Sequence, residues 1–356
     1  MVIPSLWLTP ALWGLGVVAW ALGHRRTLNR VRSVPTRITV GGTRGKSTVV
    51  RLITEALRLH GQRVSSRIAG GRPEESLQGH RLPAPTPWGP SPRPGSAEPD
   101  ELRRWISEVV QRVEPEALVV ENLAFTPESM RAVNEHIALP TLAVLTDCVP
   151  DHLDVWPNDP QAIAHIHVSA IPLGVPILTL NPLIRDVAQS EGRPAVSISE
   201  VPGAASLPRW MRNHCALAWS ALATLISPGR RVHQEKLITF AASLLPRALP
   251  LAGRAHFVDL FDANDPVSAE AALGSLAPPT VERRIALFAH RHDRAWRWRM
   301  FQPWLNRAFE EVIRITAEPD EALTAHLRSL GQDALIVGLG NAAGPAEALR
   351  SRLTAP

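Results

Sequence analysis

The sequence predicts an α/β protein: a phosphate-loop-containing, doubly wound central domain over residues 32–245, a smaller C-terminal α/β domain over 246–356, and one N-terminal transmembrane helix within residues 1–24. Three observations carry this. An apolar β-branched run, Ile38-Thr39-Val40, ends in glycines, Lys46 and Ser47, and turns into a helical pattern from Val49 to Leu57. Strand-like and helix-like periodicities alternate from there to the C-terminus, the pattern of a parallel sheet wrapped by helices. An almost unbroken apolar run, Leu6 to Leu22, stands ahead of a cluster of arginines.

With 356 residues and 45% hydrophobic content, the chain is long enough to bury two cores. The formal charge is +5, and the arginines are scattered without aromatic interleaving. That argues against a nucleic-acid surface and is better explained by membrane proximity. The two cysteines, Cys148 and Cys215, lie far apart in apolar surroundings without metal-ligand spacing, as reduced core thiols of a cytosolic compartment do. Thirty-three prolines are present, and the segment from Arg72 to Pro99 is dense in them. It reads as a long surface loop without regular helix or central strand.

Taken in order, the apolar run with Trp7, Trp13 and Trp20 approaches the roughly 20 residues that span a bilayer. His24, Arg25, Arg26, Arg30 and Arg32 follow it and would stay cytoplasmic. The expected location is the cell membrane, single-pass, with the lipid bilayer holding the first helix and the catalytic body on the cytoplasmic side. A signal peptide fits less well, because its charges precede the apolar run; a buried helix is the other alternative.

Next comes Gly42-Thr43-Arg44-Gly45-Lys46-Ser47-Thr48. Loop amides would hold phosphate oxygens, Lys46 would neutralise charge, and the Ser47 hydroxyl would reach a magnesium ion. Val40 stands where the general phosphate-loop pattern has its first glycine, so the match is to a shorter form. Lys46 and Lys236 are the only lysines in an arginine-rich chain, which marks Lys46 as a chosen compact ammonium. A helix from Ser47 to His60, a strand from Gln62 to Ile68 and a helix from Asp100 to Val113 follow. The strand Ala117–Val120 stops at Glu121, where parallel sheets place ligands; Glu121 is a magnesium candidate or a surface glutamate. The strand Thr141–Asp147 leads to Asp151-His152-Leu153-Asp154, a cluster suited to a second magnesium or an acidic substrate. Strands at Pro176–Leu180 and Ala195–Ser199 and helices at Asn213–Ile226 and Gln234–Leu245 complete the central domain. Residues 246–253 read as a linker. Strands at His256–Phe261, Arg284–Ala289, Glu311–Thr316 and Ala334–Gly338 then alternate with helices at Ser268–Leu276, Trp296–Phe309 and Asp320–Leu330. That is a second, Rossmann-like unit.

In this order the glycine-lysine loop, Leu118-Val119-Val120-Glu121, and Leu145-Thr146-Asp147 leading to Asp151-His152-Leu153-Asp154 resemble the motifs of the Mur ligase superfamily. Thr43-Arg44-Gly45-Lys46-Ser47, the segment Phe257 to Pro266, and Arg291-His292-Asp293-Arg294 are most similar to the ATP-dependent ligase subunit of poly-γ-glutamate capsule synthesis. The resemblance runs from about Arg32 to the C-terminus. It implies a P-loop ATP site in which Lys46 contacts the β- and γ-phosphates, Ser47 and Glu121 hold one magnesium, and His152 holds a second. It places Asn213 near the nucleotide base, Asn264 and Asp265 on the segment facing the nucleotide, and Arg291, Asp293 and Arg294 at the substrate. Two features depart from the pattern: Ala289 stands where that family has asparagine, and the loop from Arg67 to Pro99 is unlike its counterpart. The cell-wall ligases use a carbamylated lysine as a further metal ligand, and no lysine lies between Asp154 and Asn213. His165 and His167 lie there, each explicable as a partly buried histidine on an amphipathic helix.

The chemistry so implied is ATP-dependent activation of a carboxylate as an acyl-phosphate, followed by amide formation. ATP and Mg2+ are the expected cofactors and glutamate or a polyglutamate acceptor the expected substrate. Membrane proteins of a capsule synthesis complex are the expected partners, nucleic acid is not, and a homo-oligomer is left open. The alternatives are a membrane-tethered ATPase or scaffold subunit, a Mur-type ligase for another acidic amino acid, and a small-molecule kinase.

Overall fold

The computed structural model describes residues 5–69, 74–77, 80–82, 99–151, 155–196, 198–225, 233–251, 255–276, 283–317, 321–329, 334–342 and 344–354. Helix α1 (Ser5–Ser33) leads into β1 (Thr36–Gly41), α2 (Lys46–Leu59), β2 (Val64–Ile68), β3 (Glu74–Leu77) and β4 (His80–Leu82). Then come α3 (Pro99–Arg112), β5 (Ala117–Glu121), α4 (Pro127–Ala132), a π-helical turn, β6 (Leu142–Leu145), α5 (Pro160–Ser169), β7 (Ile177–Leu178), α6 (Pro182–Ser190), α7 (Arg209–Leu225) and α8 (Gln234–Ser243). The first sheet has the order β4-β3-β2-β5-β1-β6-β7 and is parallel except at the edge, where β3 pairs antiparallel with both β2 and β4.

The second sheet holds β8 (Ala248–Pro250), β9 (His256–Asp259), β10 (Arg283–Ala289), β11 (Glu311–Ile315) and β12 (Ala334–Leu339) in the order β11-β10-β12-β9-β8. It is parallel except where β8 pairs with β9. Helices α9 (Pro266–Gly274), α10 (Ala295–Ala308), α11 (Glu321–Ser329) and α12 (Pro345–Thr354) accompany it. The chain is thus mixed α/β with two parallel-rich sheets, as the alternation of periodicities predicts.

Each sheet is buried on both faces, which is why its strands read as continuous apolar runs. Ile38, Val40, Val119, Leu142 and Val144 form one core with α2 and α7. Phe257, Ile285, Leu287 and Ile336 form a separate core in the second sheet.

Three expectations are corrected. The Arg72–Pro99 stretch is not wholly loop, because β3 and β4 form an antiparallel hairpin at the sheet edge, the place where irregular, proline-flanked strands are tolerated. The expected strand at Ala195–Ser199 contracts to one bridge between Ile177 and Ala195. The expected membrane-spanning anchor at residues 1–24 is not supported: among the described residues no helix is long and apolar enough to cross a membrane. Glycine and tryptophan dilute the apolar run, and the same helix continues through Arg25 and Arg26 to Ser33. Val31 and Val34, at its end, are buried against α3 and the π-helical turn.

Candidate active site

The β1–α2 loop is built by glycines that no other residue could replace. Gly42 has φ +111°, and a Cβ there would lie 2.3 Å from Thr146 Oγ1. Gly45 has φ +74° and caps α2 in the left-handed conformation, turning the first amides of the helix toward the loop. Beneath the loop, Thr43 N–H donates to Asp147 O at 3.0 Å, and Thr43 Oγ1 accepts from Val149 N–H at 3.0 Å. Asp147 Oδ1 in turn accepts from Cys148 N–H and from Asn181 Nδ2, each at 2.8 Å. The loop after β6 therefore clamps the phosphate loop from below.

Lys46 Nζ donates to Gly42 O at 2.8 Å, so the ammonium lies across the loop mouth. Ser47 Oγ lies 3.3 and 3.2 Å from the two Glu121 carboxylate oxygens. Glu121 is buried at the carboxyl end of β5, and Ala69 N–H donates to it at 3.3 Å. Burial pushes its pKa up; Lys46, the Ala69 amide, Ser47 and Arg51 act against that shift. A hydroxyl beside a buried, charge-starved carboxylate is an oxygen donor pair that suits a hard divalent cation completed by phosphate oxygens and water. Among the described residues no group of three or more His, Cys, Asp or Glu side chains could hold a metal by itself.

Asp265 caps α9, its Oδ1 accepting from Ser268 N–H at 2.9 Å, and its Oδ2 lies 2.8 Å from Arg44 Nε. This ion pair joins the phosphate loop of the first sheet to the β9–α9 connection of the second. It brings the loop at the carboxyl end of β1 against the loop at the carboxyl end of β9, and strand carboxyl ends are where α/β folds bind ligands.

Other predicted site residues fall as follows. Thr48 is in the first turn of α2, and Asn264 is half-buried next to Asp265. Asn213 is exposed on α7, which begins at Arg209 rather than at Asn213. Arg291 and Arg294 are half-buried around the short 3-10 turn His292–Arg294, which includes Asp293, just past β10 on the second sheet's carboxyl edge. His152 lies outside the described residues.

Two histidines stand out beyond the motifs, His167 fully buried and His214 half-buried. His167, on α5, is 2% exposed, packs edge-on against Trp156 with centroids 5.2 Å apart, and has no partner at either ring nitrogen. Burial, helped by the charge of Lys46, lowers its pKa to about 3. His214, on α7, packs beside Gly45, and burial lowers its pKa to about 4. The position of His167 in the region flagged for want of a lysine gave a signal for it; His214 gave none.

An α/β chain with a short phosphate loop, a buried strand-end glutamate and a second sheet tied to that loop through Arg44 and Asp265 defines a phosphate-loop, nucleotide-binding class of α/β protein. Comparison with known proteins narrows this. Residues 249–315 match the family model of the poly-gamma-glutamate synthase CapB C-terminal domain. The chain is 27% identical over 168 residues to the PGA synthase CapB of Bacillus subtilis (strain 168), covering 47% of this chain and 41% of that protein. It is 26% identical over 165 residues to the capsule biosynthesis protein CapB of Bacillus anthracis, covering 44% of this chain and 32% of that protein. The match thus spans well under half of each curated relative. Among solved structures, the apo form of L. casei FPGS superposes with TM-score 0.62 and 16% identity over 93% of this chain and 95% of that one. E. coli FolC in complex with ADP gives 0.60 and 17%, over 92% and 91%. The fold is therefore that of the folylpolyglutamate synthases, and the chain resembles the poly-γ-glutamate synthase CapB proteins, as its motifs imply.

Proposed function

We propose that this protein is an ATP-dependent ligase that activates a glutamate γ-carboxyl and joins it to an amine, extending a poly-γ-glutamate chain. The observation that supports it most is the Lys46–Ser47–Glu121 group set opposite Asp265 across the Arg44 ion pair. The nucleotide would lie on the phosphate loop with its γ-phosphate toward the second sheet. A carboxylate oxygen attacks the γ-phosphorus, the bond to the β-phosphate oxygen breaks, and ADP leaves. The acceptor nitrogen then attacks the acyl carbon, inorganic phosphate departs, and the amine loses a proton.

The chain's own task is positioning and charge neutralisation. Lys46 offsets the phosphates, the loop amides orient them, and the second sheet closes over the acyl-phosphate to exclude water. Ser47 and Glu121 would hold magnesium, which supplies charge to the transferring phosphoryl group; His152 is the candidate for a second ion. The two sheets correspond in this reading to domains 32–245 and 246–356, with Asn213, Asn264 and Asp265 lining the nucleotide and Arg291, Asp293 and Arg294 facing the acidic acceptor. The protein would act at a membrane surface beside other members of a polymer synthesis complex. The exposed Leu12, Trp13, Leu15, Val17 and Val18, followed by Arg25, Arg26 and Arg30, support surface contact with anionic lipid.

The test supplies ATP, magnesium and L- or D-glutamate, and reads ADP release and polymer. Glutamate-dependent ADP release is expected; ATP turnover that ignores every amino acid offered sinks the reading.

A further inference from the structure

His214 stands one residue beyond the asparagine singled out by motif, and no motif claims it. Its ring lies against the phosphate loop: a Cβ placed on Gly45 would sit 2.4 Å from His214 Nε2 and 2.7 Å from Cε1. Nothing but glycine fits between the ring and the start of α2. The ring is braced from behind by Trp210, one turn earlier on α7, with centroids 5.7 Å apart and planes at 72°. Helix α7 is held against α2 by a shared apolar core that includes Cys215, Ala218, Val49 and Ile53. The imidazole is therefore fixed relative to Gly45 by both helices.

The protonation state follows from the surroundings. Burial lowers the His214 pKa to about 4, so at neutral pH the ring is uncharged and carries one N–H. Nδ1 is buried and has no partner. An orphaned buried donor is rarer in proteins than an under-used acceptor, so the lone pair belongs on Nδ1 and the hydrogen on Nε2, the nitrogen turned to Gly45. The ring thus presents a fixed, neutral N–H donor beside the amides that begin α2.

We propose that His214 is a nucleotide-binding residue whose Nε2–H donates to a phosphate oxygen of the bound nucleoside triphosphate, adding a side-chain donor to the loop amides. This rests on the ATP site proposed above and adds to it a residue that tightens nucleotide binding rather than the chemical step. A neutral donor suits the position. It contributes a charge-assisted hydrogen bond without a second permanent cation close to Lys46.

Two substitutions separate donation from packing. His214→Phe keeps a ring against Trp210 and Gly45 but has no donor, whereas His214→Gln loses the ring and keeps an N–H. The measurement is calorimetric titration of the full chain with magnesium and a non-hydrolysable ATP analogue, without amino acid, followed by steady-state kinetics. Expected is a weakening of about tenfold or more for His214→Phe, the loss of one hydrogen bond to a charged group, with His214→Gln within about threefold of wild type. KM for ATP should rise in His214→Phe while kcat stays close to wild type. If His214→Phe binds the analogue as tightly as His214→Gln, the donor role is overturned and the ring is packing alone. Wild type and Lys46→Ala that both fail to bind the analogue would instead overturn the ATP site itself.

Discussion

The two parallel sheets are joined by loops at their carboxyl edges, Arg44 to Asp265, but equip those edges differently. On the first, the working groups are backbone amides exposed by Gly42 and Gly45, with Lys46, Ser47 and Glu121 close behind. On the second they are side chains: Asp265 as a helix cap, Arg291 and Arg294 beyond β10, and His290 held at 2.8 Å from Arg314. Amide cradles bind phosphate of any parent molecule, whereas a side-chain surface selects a partner by its charges. On the function proposed above, the difference would assign generic nucleotide chemistry to the first edge and substrate choice to the second.

Lys46→Ala should break this division at its strongest point. The ammonium is the compact positive charge at the loop mouth, and without it ADP release should fall at least about a hundredfold. Unchanged release in a coupled ADP assay would show that the first edge is not the phosphate site. A Gly45→Ala substitution should come next. It meets both a positive φ and the His214 ring, so analogue binding should fall by at least about tenfold, from strain of roughly 1–2 kcal/mol plus the clash. Binding at the wild-type level in titration calorimetry would contradict that geometry.

Acid should sharpen the contrast in another way, because the two strongly shifted histidines, His167 and His214, both belong to the first sheet. Their native pKa values, about 3 and about 4, lie below the unfolded value near 6.5. The unfolded chain therefore binds more protons between those limits, and stability is full above pH 6.5 and declines as pH falls toward 4 and then 3. The loss is on the order of 3–5 kcal/mol per histidine. Denaturant midpoints at pH 7 and pH 5 read the first roughly 2 kcal/mol per histidine of that loss, and His167→Phe should flatten the dependence. A midpoint equal at both pH values would mean that the rings are not buried neutral.

Much of the first edge was legible because its signals are local. Gly42, Gly45, Lys46 and Ser47 announce a strand, a loop and a helix within a few residues, and Glu121 ends an unmistakable run. Other helices were missed, or begun late as with α9, where the signal was a cap. Thr126-Pro127, Asp159-Pro160, Asn181-Pro182 and Asp265-Pro266 each place a capping residue before proline, and each opens a helix. Polar cap followed by proline at the first helical position is a start signal that apolar periodicity alone does not register. Pro208 before α7 carries part of the same message and would have moved the start of that helix ahead of Asn213. The clamp through Asp147 and Asn181, residues 34 apart in sequence, and the pairing of Arg44 with Asp265 are tertiary, and no local pattern encodes them.

That last pairing gives the smallest expected effect and the most direct test of how the edges are coupled. Arg44 is partly exposed and Asp265 nearly buried, with side-chain exposures of 21% and 6%, so the pair is less screened than a surface bridge yet still reaches solvent. Asp265→Asn keeps a good helix cap for α9 while removing the charge that Arg44 meets. Without it the sheets should separate more readily, with ATP affinity falling only a few-fold, within the roughly 1 kcal/mol of a partly exposed pair. Small-angle scattering should show a larger radius for Asp265→Asn than for wild type, and added ATP analogue should restore the compact form. An unchanged radius without nucleotide would mean that contacts other than Arg44–Asp265 hold the edges together, and the nucleotide would then bind into a cleft already closed rather than one it helps to close.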